Sequence, residues 1–125
     1  MATKTKTRKS DLNTPEMLNE YIGVDYRVQE LVLPADGRTS YVLHKTRHIF
    51  LSVLTGNAVL IGDGLETELK SGRSVAIPRK TKYMLINEGE TDFRFLFTEY
   101  GSIAKPSDIE VCDETNIPKR YRLEE

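Results

Sequence analysis

His44 and His48 are the only imidazoles in this 125-residue chain, and they stand four residues apart in His44-Lys-Thr-Arg-His48. An imidazole with an ordinary pKa near ~6.5 can accept a proton at neutral pH, whereas a phenol such as Tyr83, near ~10, can serve only as an acid or a hydrogen-bond donor. Positive charge gathers in two places, Lys45 and Arg47 beside the histidines and Arg79, Lys80 and Lys82 further on. A guanidinium in either cluster could grip a phosphate through two parallel hydrogen bonds. The single thiol, Cys112, has Glu110, Asp113 and Glu114 as neighbours, and their carboxylates discourage the thiolate that nucleophilic chemistry needs, so it reads as inert. The sequence contains no Gly-rich phosphate loop, no Ser-His-Asp order and no CxxC pair, which leaves the imidazole, the phenol and the cations as its chemistry.

The elements that must position these groups are strands. Between Tyr26 and Tyr100 the chain runs in short segments rich in Val, Ile, Leu, Tyr and Phe, punctuated by Gly, Asp, Asn and Pro. Strands are predicted near 26–33, 39–46, 48–55, 57–61, 65–70, 74–77, 82–87 and 92–99. Turns are predicted at Pro34-Ala-Asp-Gly37, Gly62-Asp-Gly64, Ser71-Gly72 and Asn87-Glu-Gly-Glu90, where Gly and Asn reach the positive φ of tight reversals. Closely spaced strands with no helices between them imply an antiparallel sandwich or barrel. Phe93, Phe95 and Phe97 alternate with Arg94, Leu96 and Thr98, giving one strand an aromatic face that suits a core.

The flanks read differently. Residues 1–13 carry Lys4, Lys6, Arg8 and Lys9 and almost nothing apolar, which predicts a flexible basic arm. Thr14 as a cap, Pro15 at a first helical position and Glu16 at the positive end of the dipole predict one or two helical turns ending near Gly23. Beyond Gly101, Pro106 and Pro118 discourage regular structure, so 102–125 is expected to be a strap or tail with Ile103, Ile109 and Val111 as anchors. The expected organisation is one domain: arm and short helix over 1–24, β-barrel over 25–101, C-terminal strap over 102–125.

Lys and Arg number 18 and Asp and Glu 19, so no overall field recruits nucleic acid or a membrane surface. One cysteine cannot form an internal disulfide, and the N-terminus lacks an apolar signal stretch, so the cytoplasm is the expected compartment.

Within the β region the chain resembles the cupins. His44-Lys-Thr-Arg-His48-Ile-Phe-Leu-Ser-Val-Leu-Thr-Gly56 is similar to their first motif, HxH, a gap of three or four, E, six residues and G. Gly72, Pro78 and Asn87 fall at the spacing of the second, with Tyr83 at its histidine position. The cupin domain of bifunctional mannose-6-phosphate isomerase/guanylyltransferases is the subfamily most resembled, through Tyr26-Arg-Val-Gln-Glu-Leu-Val-Leu-Pro-Ala-Asp-Gly37 at its entry and Gly101-Ser102 with Asp108-Ile-Glu110 at its exit.

The resemblance implies an all-β, double-stranded β-helix, or jelly-roll, barrel. It also implies a metal held by two histidines and a glutamate of the first motif and a histidine of the second. With His44 in the first histidine position, Thr46 takes the second, Ile49 the glutamate and Tyr83 the last, so one ligand of four is kept and no metal or other cofactor is expected. A bulge expected near Arg47 keeps His48 from joining His44. Strand alternation points His44, Thr46, Ile49, Leu51 and Val53 inward, with Tyr83, Leu85 and Asn87. Two readings stay open, a ligand pocket with His44, Thr46 and Tyr83 near its mouth and an interior filled by its own side chains. In both, the Tyr83 ring fills the mouth with its hydroxyl toward His44 or Thr46.

The candidate ligand-binding residues are His44, Thr46, Arg47, Ile49, Arg79, Lys80, Tyr83 and Asn87, and the only catalytic candidates are His44 and Tyr83. The expected function is that of a metal-free, non-catalytic cupin-like protein, a binding module for a small molecule such as a sugar or an anion, or an assembly module. The alternatives are a sugar-phosphate isomerase-like enzyme using His44 and Tyr83, and a structural or regulatory oligomer. The expected partners are a small polar or anionic ligand and a second copy of the chain, meeting through the segment Tyr26–Leu33 and the short helix, with no membrane and no nucleic acid.

Overall fold

Alternation builds the central strands. In Arg47–Thr55 the side chains of Ile49, Leu51 and Val53 are buried while Phe50 between them is exposed, the period of a strand with one wet face. The computed structural model describes residues 15–101 and 108–122. In chain order the strands are β1 (Glu16–Ile22), β2 (Tyr26–Leu33), β3 (Val42–His44), β4 (Arg47–Thr55), β5 (Ala58–Gly62), β6 (Leu65–Leu69), β7 (Ser74–Ile77), β8 (Tyr83–Ile86), β9 (Phe93–Gly101) and β10 (Ile109–Val111). They form two five-stranded antiparallel sheets, ordered β1-β2-β9-β4-β7 and β10-β3-β8-β5-β6. This is the jelly-roll architecture that the strand count and turns imply.

The core lies between the sheets. Leu33, Ile49, Leu51, Val53, Ile77, Phe93 and Phe95 of the first sheet pack on Ala58, Leu60, Leu69, Tyr83 and Leu85 of the second. Burying one such side chain contributes roughly 1.5–3 kcal/mol. Gly56, which closes β4, has φ +90, and a Cβ there would stand 2.4 Å from the Asp92 carbonyl oxygen, so the turn needs glycine for both conformation and space.

Two expectations about the flanks are corrected. The helix expected over 15–20 and ending near Gly23 is instead the strand β1, paired along β2 from Glu16↔Val32 to Ile22↔Arg27. Capping signals are local and worth about 1 kcal/mol, whereas pairing along β2 satisfies the backbone groups that face it over the length of the segment. Side chains reinforce the register: Asn19 Nδ2 donates to Glu30 at 2.8 Å and Gln29 Nε2 to Glu20 at 3.0 Å.

The strap is not anchored as expected. Ile109 and Val111 of β10 are 45% and 72% exposed, while Ile117 and Tyr121 are buried against Tyr41, Ile61, Met84 and Ile86 on the outer face of the second sheet. β10 itself pairs with β3, and Lys119–Tyr121 forms a 3₁₀ turn. The basic arm expected over 1–13 and the anchor Ile103 lie outside the described residues.

Candidate functional site

Strand β8 is buried at every position, and its alternation splits Tyr83 and Leu85 into the inter-sheet core from Met84 and Ile86 on the outer face. Val42 pairs with Tyr83 across β3 and β8. His44, two residues along β3, therefore shares the inward face of Val42. The His44 Nε2 and Tyr83 hydroxyl are 2.9 Å apart, and the rings lie 5.8 Å apart at 17°.

Burial pushes the His44 imidazolium down, helped by the nearby Arg47 charge and opposed by Asp108, while burial pushes the Tyr83 phenol far up. At neutral pH the pair is thus a neutral imidazole and a protonated phenol. Nδ1 of His44 lies 3.5 Å from an Asp108 carboxylate oxygen. With the ring proton on Nδ1 facing that carboxylate, Nε2 accepts the Tyr83 O–H; with it on Nε2, Nδ1 faces the Arg47 guanidinium nitrogen at 3.5 Å, so in either tautomer the one lone pair the imidazole could use as a base is engaged.

Behind His44 lies a buried ionic cluster that the sequence reading missed. Arg47 was expected at the rim, yet it is 3% exposed. Its Nε donates to Asp108 at 3.0 Å, another of its nitrogens pairs with Glu99, and Arg27 pairs with the same glutamate. Asp108 also accepts the Thr46 backbone N–H, at 2.8 Å, and the Thr46 hydroxyl. Burial alone would raise the Asp108 carboxyl, but hydrogen bonds from Thr46 and Arg47 outweigh it and hold it below the usual range. One signal was available: Glu99 continues the inward series Phe93, Phe95, Phe97 and lies opposite both Arg27 and Ile49.

The bulge expected near Arg47 is absent from that place. β4 keeps regular pairing from Arg47 to Val53, and its register shift falls between Val53 and Thr55. Arg47 therefore shares the inward parity of Ile49, and His48 faces out, accepting the Arg79 backbone N–H at 3.2 Å and packing on Tyr100.

Beside the His44–Tyr83 pair, between the sheets, is a cavity of about 360 Å³. Its apolar walls include Leu31, Val42, Leu85, Phe95 and Phe97, and its polar lining includes Arg27, Gln29 and Glu99. Of the eight candidate binding residues only His44 and Tyr83 line it. Ile49 is core, Arg47 belongs to the ionic cluster, and Thr46 is exposed on the turn between β3 and β4. Asn87 is a structural residue: its amide donates to the carbonyls of Leu33 and Thr91, and its side-chain oxygen accepts the Gly89 N–H. Arg79 and Lys80 are exposed on a turn tied to the His44 carbonyl by the Lys80 N–H at 2.7 Å. The cations at 45, 79, 80 and 82 do not line the cavity.

The geometry also shifts the motif register. Val42 and His44 face inward together, whereas Thr46 does not, so the HxH pair corresponds to Val42-Leu-His44, with a gap of four before Ile49. One ligand position of four is still filled. A valine, an isoleucine and a phenol offer a divalent metal nothing adequate, and the Arg47 guanidinium, with a nitrogen 3.5 Å from Nδ1 of His44, already supplies positive charge there. Among the described residues no three His, Cys, Asp or Glu side chains converge on one point. The residues present do not fit a metal.

Residues 29–99 match the Cupin_2 family, the cupin domain, and the chain belongs to that family. An uncharacterized protein of Methanocaldococcus jannaschii is 28% identical over 82 residues, a match that spans 66% of each chain. A protein of Klebsiella pneumoniae with a double-stranded β-helix domain superposes with a TM-score of 0.68 at 16% identity, covering 86% of this chain and 90% of that one. A candidate sugar phosphate isomerase of Acidithiobacillus ferrooxidans gives a TM-score of 0.58 at 18% identity, covering 62% of this chain and 51% of that one. At these identities the structural likenesses show the fold alone.

Proposed function

As a member of the cupin-domain family, this protein is, we propose, a metal-free, non-catalytic binding module that holds a small molecule in the cavity beside His44 and Tyr83. The observation that carries the reading is that cavity, about 360 Å³ between the sheets, within the range of about 300–1,000 Å³ of ligand sites. The polar groups at its inner end are already paired with one another, which suits holding a molecule and not transforming it. An isomerase would need a free base, and both ring nitrogens of His44 are engaged, Nε2 with the Tyr83 hydroxyl and Nδ1 with Arg47 and Asp108.

A thermal-shift screen of metabolites on protein held in excess chelator tests this reading. The expected result is one class of compound that raises the melting temperature, lost when Leu85→Trp fills the cavity. Stoichiometric zinc, iron, manganese or nickel bound through His44, or sugar-phosphate turnover abolished by His44→Gln, would overturn it.

We also propose that the protein works as a homodimer in the cytoplasm. β2, expected to be exchanged, lies between β1 and β9, so the edge that supports pairing is β1. All seven of its residues are exposed, among them Met17, Leu18, Tyr21 and Ile22, and a long apolar edge calls for a cover. A dimer by sedimentation that Asn19→Pro converts to a monomer is expected; a monomer at tens of micromolar overturns it. The lone free cysteine supports the reducing compartment.

A further inference from the structure

We propose that the cavity ligand is an uncharged aromatic molecule of one or two rings, not a sugar phosphate. This rests on the reading of the cavity as a binding site and adds the class of its occupant. Size follows from volume, since about 360 Å³ lies at the lower end of the ~300–1,000 Å³ of ligand sites and suits a molecule of one or two rings.

Charge is the stronger constraint. Arg27 and Arg38 line the cavity and Arg47 stands behind His44, but the Arg38 guanidinium turns to the outer face of the second sheet, where it donates to the Tyr121 carbonyl and Glu114. Arg27 is paired with Glu99, Arg47 with Glu99 and Asp108, and Arg38 with Glu114 at 2.7 Å. Three guanidinium groups face three carboxylates, and Glu20, 3.7 Å from Arg27, adds a fourth at the rim. Among the described residues no surplus cation borders the cavity. A phosphate entering here would have to compete with Glu99 and Glu20 for Arg27, in a site where carboxylates already outnumber guanidinium groups. The cations Lys45, Arg79, Lys80 and Lys82 lie off the cavity lining and cannot compensate.

The walls select for a ring. His44, Tyr83, Phe95 and Phe97 form one connected aromatic surface: Tyr83 to Phe97 is 6.5 Å, His44 to Phe97 6.3 Å and Phe95 to Phe97 6.4 Å edge-on. Leu31 and Leu85 complete the apolar lining. A planar ligand gains from offset or edge-on contact with these rings beyond the area it buries.

The test is calorimetric titration of the full chain with three matched probes: 2-naphthol, 2-naphthyl phosphate and decahydro-2-naphthol. The expected result is that 2-naphthol binds at least tenfold more tightly than either other probe, and that Leu31→Trp, or Leu85→Phe should the first not fold, weakens it at least tenfold. Equal or tighter binding of the phosphate ester overturns the charge argument, and equal or tighter binding of the saturated alcohol overturns the ring argument. If none of the three binds while some other compound in the metabolite screen does, the ligand class is wrong and the binding reading stands. If no compound of any class binds, both fail.

Discussion

The Tyr83 hydroxyl and the His44 Nε2, 2.9 Å apart and both buried, satisfy each other's hydrogen-bonding groups across the two strands β3 and β8. Replacing Tyr83 by Phe keeps the ring and removes the partner, leaving a buried imidazole nitrogen unpaired. A loss of about 1–3 kcal/mol is expected in urea denaturation, the cost of one stranded buried polar group. A variant as stable as the parent would show that water replaces the hydroxyl.

Acid should loosen the protein in two steps. The His44 imidazolium is held below its ordinary value by burial and by Arg47, so the unfolded chain binds this proton first. The stability contributed by the neutral ring is therefore complete above the unfolded value near ~6.5 and is lost as pH falls through it toward the folded value. Asp108, also depressed, contributes above ~3.9 and loses that contribution as pH falls through its folded value. Denaturation midpoints measured from pH 8 to pH ~2 should fall below pH ~6.5 and again below ~3.9 in the parent, and stay flatter over the first of these steps in His44→Gln.

Removing Arg47 should cost more than removing any surface cation. Arg47→Met leaves Glu99 and Asp108 buried without their shared partner, a loss of about 3–5 kcal/mol, which is much of the ~5–15 kcal/mol that holds a domain together. Arg47→Met combined with Glu99→Gln and Asp108→Asn should recover most of it, because no uncompensated charge then stays behind. Equal instability of the single and triple variants would mean that packing, not charge, sets the cost.

Metal binding should be recoverable only in the register that the structure defines. Val42→His, Ile49→Glu and Tyr83→His join His44 on one inward face and are expected to hold zinc or manganese in equilibrium dialysis. Thr46→His with the same Ile49 and Tyr83 changes is expected to hold none, because residue 46 is exposed on a turn. Metal in the second variant and not the first would return the motif to its other register.

How much could be read in advance divides along physical lines. The eight strands from Tyr26 to Gly101 were legible because short apolar runs are bounded by turn residues, and in the central strands one-face burial writes a period of two, as in Phe93, Phe95 and Phe97. β1 was not, because Pro15 and Glu16 carry real helix-start signals and only the distant edge of β2 decides against them. His44 and Tyr83 could be brought together through their motif positions, and their contact followed from the need to satisfy a buried hydroxyl. Arg47 was misplaced by the habit of sending cations to the rim, although stepping back two residues from Ile49 turns it inward. Asp108 could not be paired with it from sequence, since 61 residues separate the two.

The segment that supplies Asp108, Glu114, Ile117 and Tyr121 has a bearing on biosynthesis. As the chain leaves the ribosome, every strand of the inter-sheet core through β9 emerges while Arg38 and Arg47 still lack Glu114 and Asp108, and the outer face of the second sheet lacks its cover. Domains generally fold during synthesis from the N-terminal side, at ~5–20 residues per second. Here Arg38 lacks its carboxylate, and Arg47 has only Glu99, until residues 108–121 are out, so cooperative closure of the barrel waits for that segment.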